Sequence, residues 1–81
     1  MFINKADDGK NNLCGKNISR FRVAKGLSQR QLADLLQING LDIDKNAVQR
    51  IEAGKRFVTD IELVYFSKLF AVPLDKLLDS E

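Results

Sequence analysis

The sequence predicts a compact all-α domain of four to five short helices. Apolar residues recur at intervals of three and four along most of the chain, two capping boxes mark helix starts, and glycines stand where helices would end. The central segment, residues 28–52, contains two of these helices joined by an extended turn. The second of them would bury only two residues and expose hydrogen-bond donors on its other faces. Its surface is therefore suited to contact with a polar partner.

Residues 1–11 lack periodicity and are predicted to form a flexible N-terminal arm before the folded domain, which we place at residues 12–79. Asn12 is the predicted N-cap of a first helix over about residues 13–25. Cys14 lies on the apolar stripe of this helix, so we expect a buried thiol rather than a reactive one.

Two helices are predicted in the central segment. Ser28 and Gln31 form a capping box that begins a helix over about residues 29–38. Asp44 is the predicted cap of a third helix, over about residues 45–53. The link between the two helices is longer than a tight turn. We expect it to be anchored by its two apolar side chains, Leu41 and Ile43.

A second capping box, Thr59 with Glu62, begins a fourth helix at about Asp60, and a short fifth helix follows Pro73 over about residues 74–78. The fourth helix is apolar on more than one face. Beside its core stripe it carries three apolar residues spaced four apart: Ile61, Tyr65 and Leu69. These residues either complete the core of the monomer or form a seam between two copies of the chain.

Composition argues against several classes of function. The chain has no His, and its single Cys cannot build a zinc site or a catalytic Cys–His pair. It also lacks a glycine-rich phosphate loop. We therefore predict no enzymatic activity, no catalytic or metal-binding residues, no cofactor and no small-molecule substrate. The sequence shows neither a signal peptide nor an apolar run of about 20 residues, which predicts a cytoplasmic protein without a membrane partner.

The net charge of +2 hides a division along the chain. Residues 17–58 hold eight Lys or Arg against four Asp or Glu, whereas residues 59–81 hold two against five. This asymmetry is typical of a protein with one basic face, although ordinary solvated charges would give the same counts.

Three segments in order resemble the lambda-repressor-like, Cro-type (XRE family) helix-turn-helix DNA-binding domains. They are GLSQRQLA at 26–33, AVQRIEAGK at 47–55 and TDIELVYFSKLFAVPLDKLL at 59–78. The resemblance covers about residues 13–78. It implies that helices 2 and 3 form the helix-turn-helix and that helix 3 enters the major groove of DNA.

The resemblance also implies roles for single residues. Arg22 and Glu52 correspond to a structural pair that ties the first helix to the recognition helix. Base contacts would come from the exposed residues of helix 3: Lys45, Asn46, Ala47, Gln49 and Arg50. Lys can donate to guanine, Asn and Gln can pair with adenine, and Ala can touch the thymine methyl group. The resemblance implies that Gln29 touches the DNA backbone or a nearby base. Together with Gln29, three basic residues that flank helix 3 would contact the DNA backbone: Arg30, Lys55 and Arg56.

We therefore expect a small transcriptional regulator that binds double-stranded DNA in a sequence-specific manner. If the second apolar face of helix 4 pairs two copies, the homodimer would place its recognition helices about one DNA turn apart on a palindromic operator. The alternative is a protein-interaction module of the same fold, an antitoxin or adaptor, that uses this face to hold a partner.

The link between helices 2 and 3 departs from the family pattern, and this link sets the orientation of the recognition helix. The chain has about five more residues between Ala33 and Glu52 than a tight helix-turn-helix needs. Either helix 2 runs longer, or the link bulges outward while its apolar residues hold it.

Overall fold

The structure, a computed structural model, describes residues 4–79 of the 81-residue chain. Within this range the chain forms five α-helices and no strand, which confirms the predicted fold class. The helices are α1 (Gly15–Ala24), α2 (Gln29–Ile38), α3 (Lys45–Glu52), α4 (Asp60–Phe70) and α5 (Leu74–Leu78). Each of them is too short or too polar to span a bilayer. Residues 1–3 of the predicted arm lie outside the described residues.

The inner faces of the five helices meet in one hydrophobic core. α1 packs on α3, α4 and α5, and α2 packs on α3 and α4. The ring of Phe70 stacks on Phe66 with centroids 6.2 Å apart, and Phe21 approaches it from α1 at 5.7 Å. The buried apolar residues are Cys14, Ile18, Leu32, Ala33, Leu36, Ile43, Val48, Ile51, Phe66, Phe70 and Leu77. Because α2 and α3 contribute to this core directly, its packing sets the position of both helices.

Cys14 belongs to this core, as its place on the apolar stripe predicted. Burial raises the pKa of its thiol to about 11, because the thiolate would lose its hydration on entering the core. The thiol is therefore protonated at neutral pH and acts as a small apolar side chain.

The predicted start of the first helix is wrong by two residues. α1 begins at Gly15, and Leu13 stays exposed before it. The Asn12 side chain accepts a hydrogen bond from the Gly15 N–H (2.8 Å), yet it does so from outside the helix. The reason is tertiary: the amide of Asn12 also donates to the main chain at the end of α3 and beyond it.

Both predicted capping boxes are present. Ser28 accepts a hydrogen bond from the N–H of Gln31, and the side chain of Gln31 accepts one from the N–H of Ser28. Thr59 and Glu62 form the same reciprocal pair. These bonds satisfy N–H groups that have no partner within the helix, so α2 and α4 begin at the predicted residues.

The link between α2 and α3 covers residues 39–44. α2 ends at the predicted residue, so the extra length lies in the link and not in the helix. Ile43 is buried and Leu41 packs partly against the core. Gln37 donates from its amide to the Ile43 carbonyl (2.8 Å), and the Asp44 carboxylate accepts an N–H of the first turn of α3 (2.8 Å). The link is therefore held at several points and sets the angle between the two helices.

Candidate nucleic-acid interface

α3 has one buried edge and one exposed polar face. Val48 and Ile51 are fully buried. At about 100° of rotation per residue, Asn46 and Gln49 lie on the opposite side of the helix. Ala47, which was predicted among the base contacts, packs partly against the core. The exposed side chains of α3 are those of Lys45, Asn46, Gln49 and Arg50.

A hydrogen-bonded network ties α1 and α2 to the C-terminal end of α3. Arg22 donates through Nε and Nη2 to the two carboxylate oxygens of Glu52, at 2.7 and 3.1 Å. Its Nη1 donates to the Leu27 carbonyl (2.8 Å), and Gln29 Nε2 donates to Glu52 Oε1 (3.0 Å). The side chains of Arg22 and Glu52 are only 15% and 8% exposed. This bidentate pair therefore holds the end of α3 in a defined orientation.

Gln29 is a member of this network that the sequence did not indicate, since Gln29 was predicted only as a contact with DNA. The residue stands in the first turn of α2, and Glu52 lies in the last turn of α3. Helical periodicity describes neighbours within one helix, so it cannot place side chains from two helices beside each other. One bond to Glu52 leaves the carbonyl oxygen and a second N–H of the amide able to bind another partner.

Arg56, another predicted DNA-backbone residue, forms a second bidentate pair. Its Nη1 and Nη2 donate to Glu62 Oε1 and Oε2 at 3.0 and 2.9 Å. Glu62 also serves the predicted capping box of α4, but the sequence did not indicate its pairing with Arg56. The pair connects the segment after α3 to the start of α4.

The two other basic residues predicted to contact the DNA backbone lie beside α3 in the fold or just after it in the chain. Arg30, in the first turn of α2, and Lys55, after the end of α3, are both exposed. An open polar cleft between α2 and the start of α3 is lined by Arg30, Lys45 and Asn46 together with acidic neighbours, among them Asp34. One predicted backbone contact and two predicted base contacts thus share a continuous surface.

The helix-turn-helix family model matches residues 18–77, from within α1 to within α5. The chain belongs to this family. The match agrees with the resemblance to XRE-family domains that the sequence motifs indicated.

The helix-turn-helix domain is also similar to a solved structure, that of the restriction-modification controller protein C.AhdI from Aeromonas hydrophila. The two share a TM-score of 0.67 and 28% sequence identity, over 78% of this chain and 88% of that chain. A search of curated proteins returned no match. The family and this neighbour support a DNA-binding transcriptional regulator and point to a protein without enzymatic activity.

The three residues of α4 that were predicted to form a seam between two copies differ in their exposure. Tyr65 and Leu69 pack partly against the core, whereas Ile61 is 65% exposed. Val64, three residues further along α4, is exposed on the same outer face as Ile61. The apolar surface of α4 that faces outward is therefore centred on Ile61 and Val64.

The Arg56–Glu62 pair links the stability of the domain to pH. The hydrogen bond from Arg56 holds the pKa of Glu62 below its ordinary value of 4.5, against the opposing effect of partial burial. The same hydrogen bond raises the pKa of Arg56. Because the folded-state pKa of Glu62 is lowered, the pair contributes stability above about pH 4.5, and this contribution is lost as the pH falls through the folded-state value.

Glu62→Gln is therefore expected to lower the free energy of unfolding at pH 7 and to reduce its dependence on pH in the acid range. The difference from wild type should shrink as the pH falls below 4.5, since the wild-type carboxylate is then protonated too. Urea unfolding followed by circular dichroism at several pH values measures this. Asp60→Asn is the control, because it removes a charge from the same helix turn. A difference that stays constant between pH 7 and pH 3 would contradict the prediction.

Proposed function

We propose that this protein is a small transcriptional regulator that binds double-stranded DNA in a sequence-specific manner, with α3 in the major groove. The observation that carries the proposal is the division of α3 into a buried edge and an exposed face centred on Asn46 and Gln49. Such a helix fits a groove about 12 Å wide and offers amide groups that match base edges. The similarity to a restriction-modification controller protein supports a regulatory role.

The roles of single residues follow from exposure and hydrogen bonding. The proposed base contacts are the exposed side chains of α3: Lys45, Asn46, Gln49 and Arg50. Ala47 is partly buried against the core, so only the exposed part of its methyl group can touch a thymine methyl group. The proposed backbone contacts are Gln29, Arg30 and Lys55. Arg56 is expected to contribute less to the binding of the DNA backbone, because its guanidinium is already paired with the carboxylate of Glu62.

Selection from a randomised duplex library tests the proposal. The affinities for the selected duplex and for a scrambled duplex are then measured between about 50 and 200 mM salt. We expect the selected duplex to bind at least about 10³-fold more tightly, and both affinities to fall steeply with salt. A protein that enriches no sequence would contradict the proposal and favour the interaction-module alternative.

The double variant Asn46→Ala with Gln49→Ala is expected to lose most of this discrimination. Each lost bidentate base contact costs about 1–3 kcal/mol, whereas the affinity for the scrambled duplex should persist because the phosphate contacts are unchanged. The control is Asp75→Ala with Lys76→Ala on the exposed surface of α5, which also preserves the net charge. If the first double variant selects the same sequences as wild type, α3 does not read the DNA.

The proposal includes a homodimer on a palindromic operator, formed through the outer face of α4 around Ile61. Ile61 and Val64 leave apolar surface exposed there. The longest dimension of the domain is 35 Å, and the two half-sites of a palindrome lie about 34 Å apart along DNA. In the proposed dimer, the two copies place their α3 helices about one turn apart.

Ile61→Asp is expected to yield a monomer and to weaken binding to the selected palindrome, because two-fold symmetry would bring two new carboxylates together. Analytical ultracentrifugation and a binding titration measure both effects. Val23→Asp is the matched control: Val23 lies on α1, is 62% exposed against 65% for Ile61, and gains the same charge. A wild-type protein that stays monomeric at high concentration, with and without DNA, would exclude the seam.

A further inference from the structure

Residues 10–12, which we call the strap, cross the end of α3 and residues 53–59 between α3 and α4, which we call the connector. The Asn12 amide donates through Nδ2 to the carbonyls of Ile51 (3.0 Å) and Arg56 (2.8 Å). Its Oδ1 accepts the N–H of Gly15 (2.8 Å). One side chain therefore joins the start of α1, the last turn of α3 and the connector.

Asn11 adds two further bonds to the connector. Its main-chain N–H donates to the Gly54 carbonyl (2.8 Å), and its Nδ2 donates to the Lys55 carbonyl (3.0 Å). Together with Asn12, it binds the carbonyls of four residues after the middle of α3: Ile51, Gly54, Lys55 and Arg56. Asn11 and Asn12 thus hold the path of the connector, although they lie about forty residues earlier in the chain.

Two glycines allow this close approach. Gly54 has a φ of +77°, and a Cβ there would come within 2.6–3.0 Å of the side-chain carbons of Lys10. At Gly15 a Cβ would overlap the carbonyl oxygen of Ile51. Lys10 is itself positioned by a turn, since its carbonyl accepts the N–H of Ala6 (2.9 Å). The strap and the start of α1 therefore lie directly on the end of α3.

The connector carries Lys55, one of the proposed contacts with the DNA backbone. Its side chain is exposed, while its own carbonyl is bound by Asn11 and the next carbonyl by Asn12. Two successive main-chain carbonyls, those of Lys55 and Arg56, are thus held in place. This limits the positions that the ammonium group of Lys55 can take.

We propose that Asn11 and Asn12 are positioning residues for DNA binding, which hold the main chain at Lys55 in the orientation that a phosphate contact requires. This inference rests on the proposed function. The two asparagines act through the connector and touch no DNA themselves. A lost positioning residue should therefore reduce a phosphate contact while the base preference persists.

Asn12→Ser and Asn17→Ser form a matched pair for the test. Ser at position 12 keeps an acceptor near the Gly15 N–H but loses both donations, the one to the Ile51 carbonyl and the one to the Arg56 carbonyl. Asn17 has the same chemistry elsewhere, because its Nδ2 donates to the carbonyl of Leu77 in α5 (2.8 Å) and to that of Asp79 just after this helix (2.7 Å). Both substitutions preserve the net charge, and circular dichroism identifies conditions in which both variants are fully folded.

Binding of the selected duplex is then measured across a salt series. We expect Asn12→Ser to lower the affinity about tenfold and to make the slope of log K against log [salt] less negative by about 0.9, the value of one phosphate contact. Asn17→Ser should change neither quantity, and Asn12→Ser should still prefer the selected sequence. In a Lys55→Ala background the loss from Asn12→Ser should be smaller, because the two residues act on the same contact.

The outcomes separate this inference from the proposed function. If the wild type distinguishes no duplex, the proposed function fails and the inference fails with it. If the wild type binds specifically but Asn12→Ser retains its affinity and slope, or loses no more than Asn17→Ser, the strap has only a structural role. Should Asn12→Ser unfold, Asn11→Ala tests the same prediction, since it removes one bond to the Lys55 carbonyl and keeps the main-chain bond to Gly54.

Discussion

Glu52→Ala is expected to lower the free energy of unfolding by about 3 kcal/mol, the lower end for breaking a buried ion pair. The substitution leaves the Arg22 guanidinium, which is only 15% exposed, without its bidentate acceptor. It also removes the acceptor of Gln29. Since these bonds join three helices, the end of α3 should lose its defined orientation together with the stability.

The same variant separates specific from non-specific DNA binding. Removing a carboxylate raises the net charge by one, which by itself strengthens attraction to any duplex. We therefore expect a lower affinity for the selected duplex and an unchanged or higher affinity for the scrambled one. Asp42→Ala is the charge-matched control, since Asp42 is exposed in the link. Urea unfolding and the two binding titrations measure the effects; a variant as stable and as selective as Asp42→Ala would contradict the prediction.

Phe66→Ala is expected to lower the free energy of unfolding by about 4 kcal/mol, through lost burial and the cavity left behind. Phe66 is fully buried, and its ring stacks on Phe70 in the core shared by the helices. Small domains are stable by only about 5–15 kcal/mol, so this variant should lose a large share of the stability of the domain. Its DNA binding should fall in proportion to the folded fraction.

The matched control for this prediction is Phe57→Ala. Phe57 lies in the connector between α3 and α4 and is 53% exposed, so the same atoms are removed from a site that already meets solvent. We expect a loss of less than about 1 kcal/mol there. Urea unfolding followed by circular dichroism compares the two variants with wild type. Equal losses at positions 57 and 66 would show that the core is not packed around Phe66.

Local signals in the sequence account for most helix boundaries. The capping boxes at Ser28 and Thr59 join residues three apart, so the segment itself contains both partners of each hydrogen bond. The start of α1 differs from its prediction for the opposite reason. Asn12 has the right side chain for a cap, but its amide also donates to the carbonyls of Ile51 and Arg56, which hold it outside the helix.

The candidate site shows the same division. Helical periodicity predicts the exposed face of α3 correctly for Asn46 and Gln49, because Val48 and Ile51 define the buried edge. Ala47 is only partly exposed, because its position on the helix is next to that buried edge, and its contact with a base stays a prediction.

By itself, the sequence determined the all-α class, the caps, the apolar stripes and the polar face of α3, since each depends on residues within one or two turns of each other. Only the tertiary structure decided which polar side chains are engaged inside the molecule. Gln29 with Glu52, Arg56 with Glu62, and Asn12 with Ile51 all join different elements. Such partners are set by how the helices pack, and a hydrogen bond between distant segments leaves no periodic pattern in the chain.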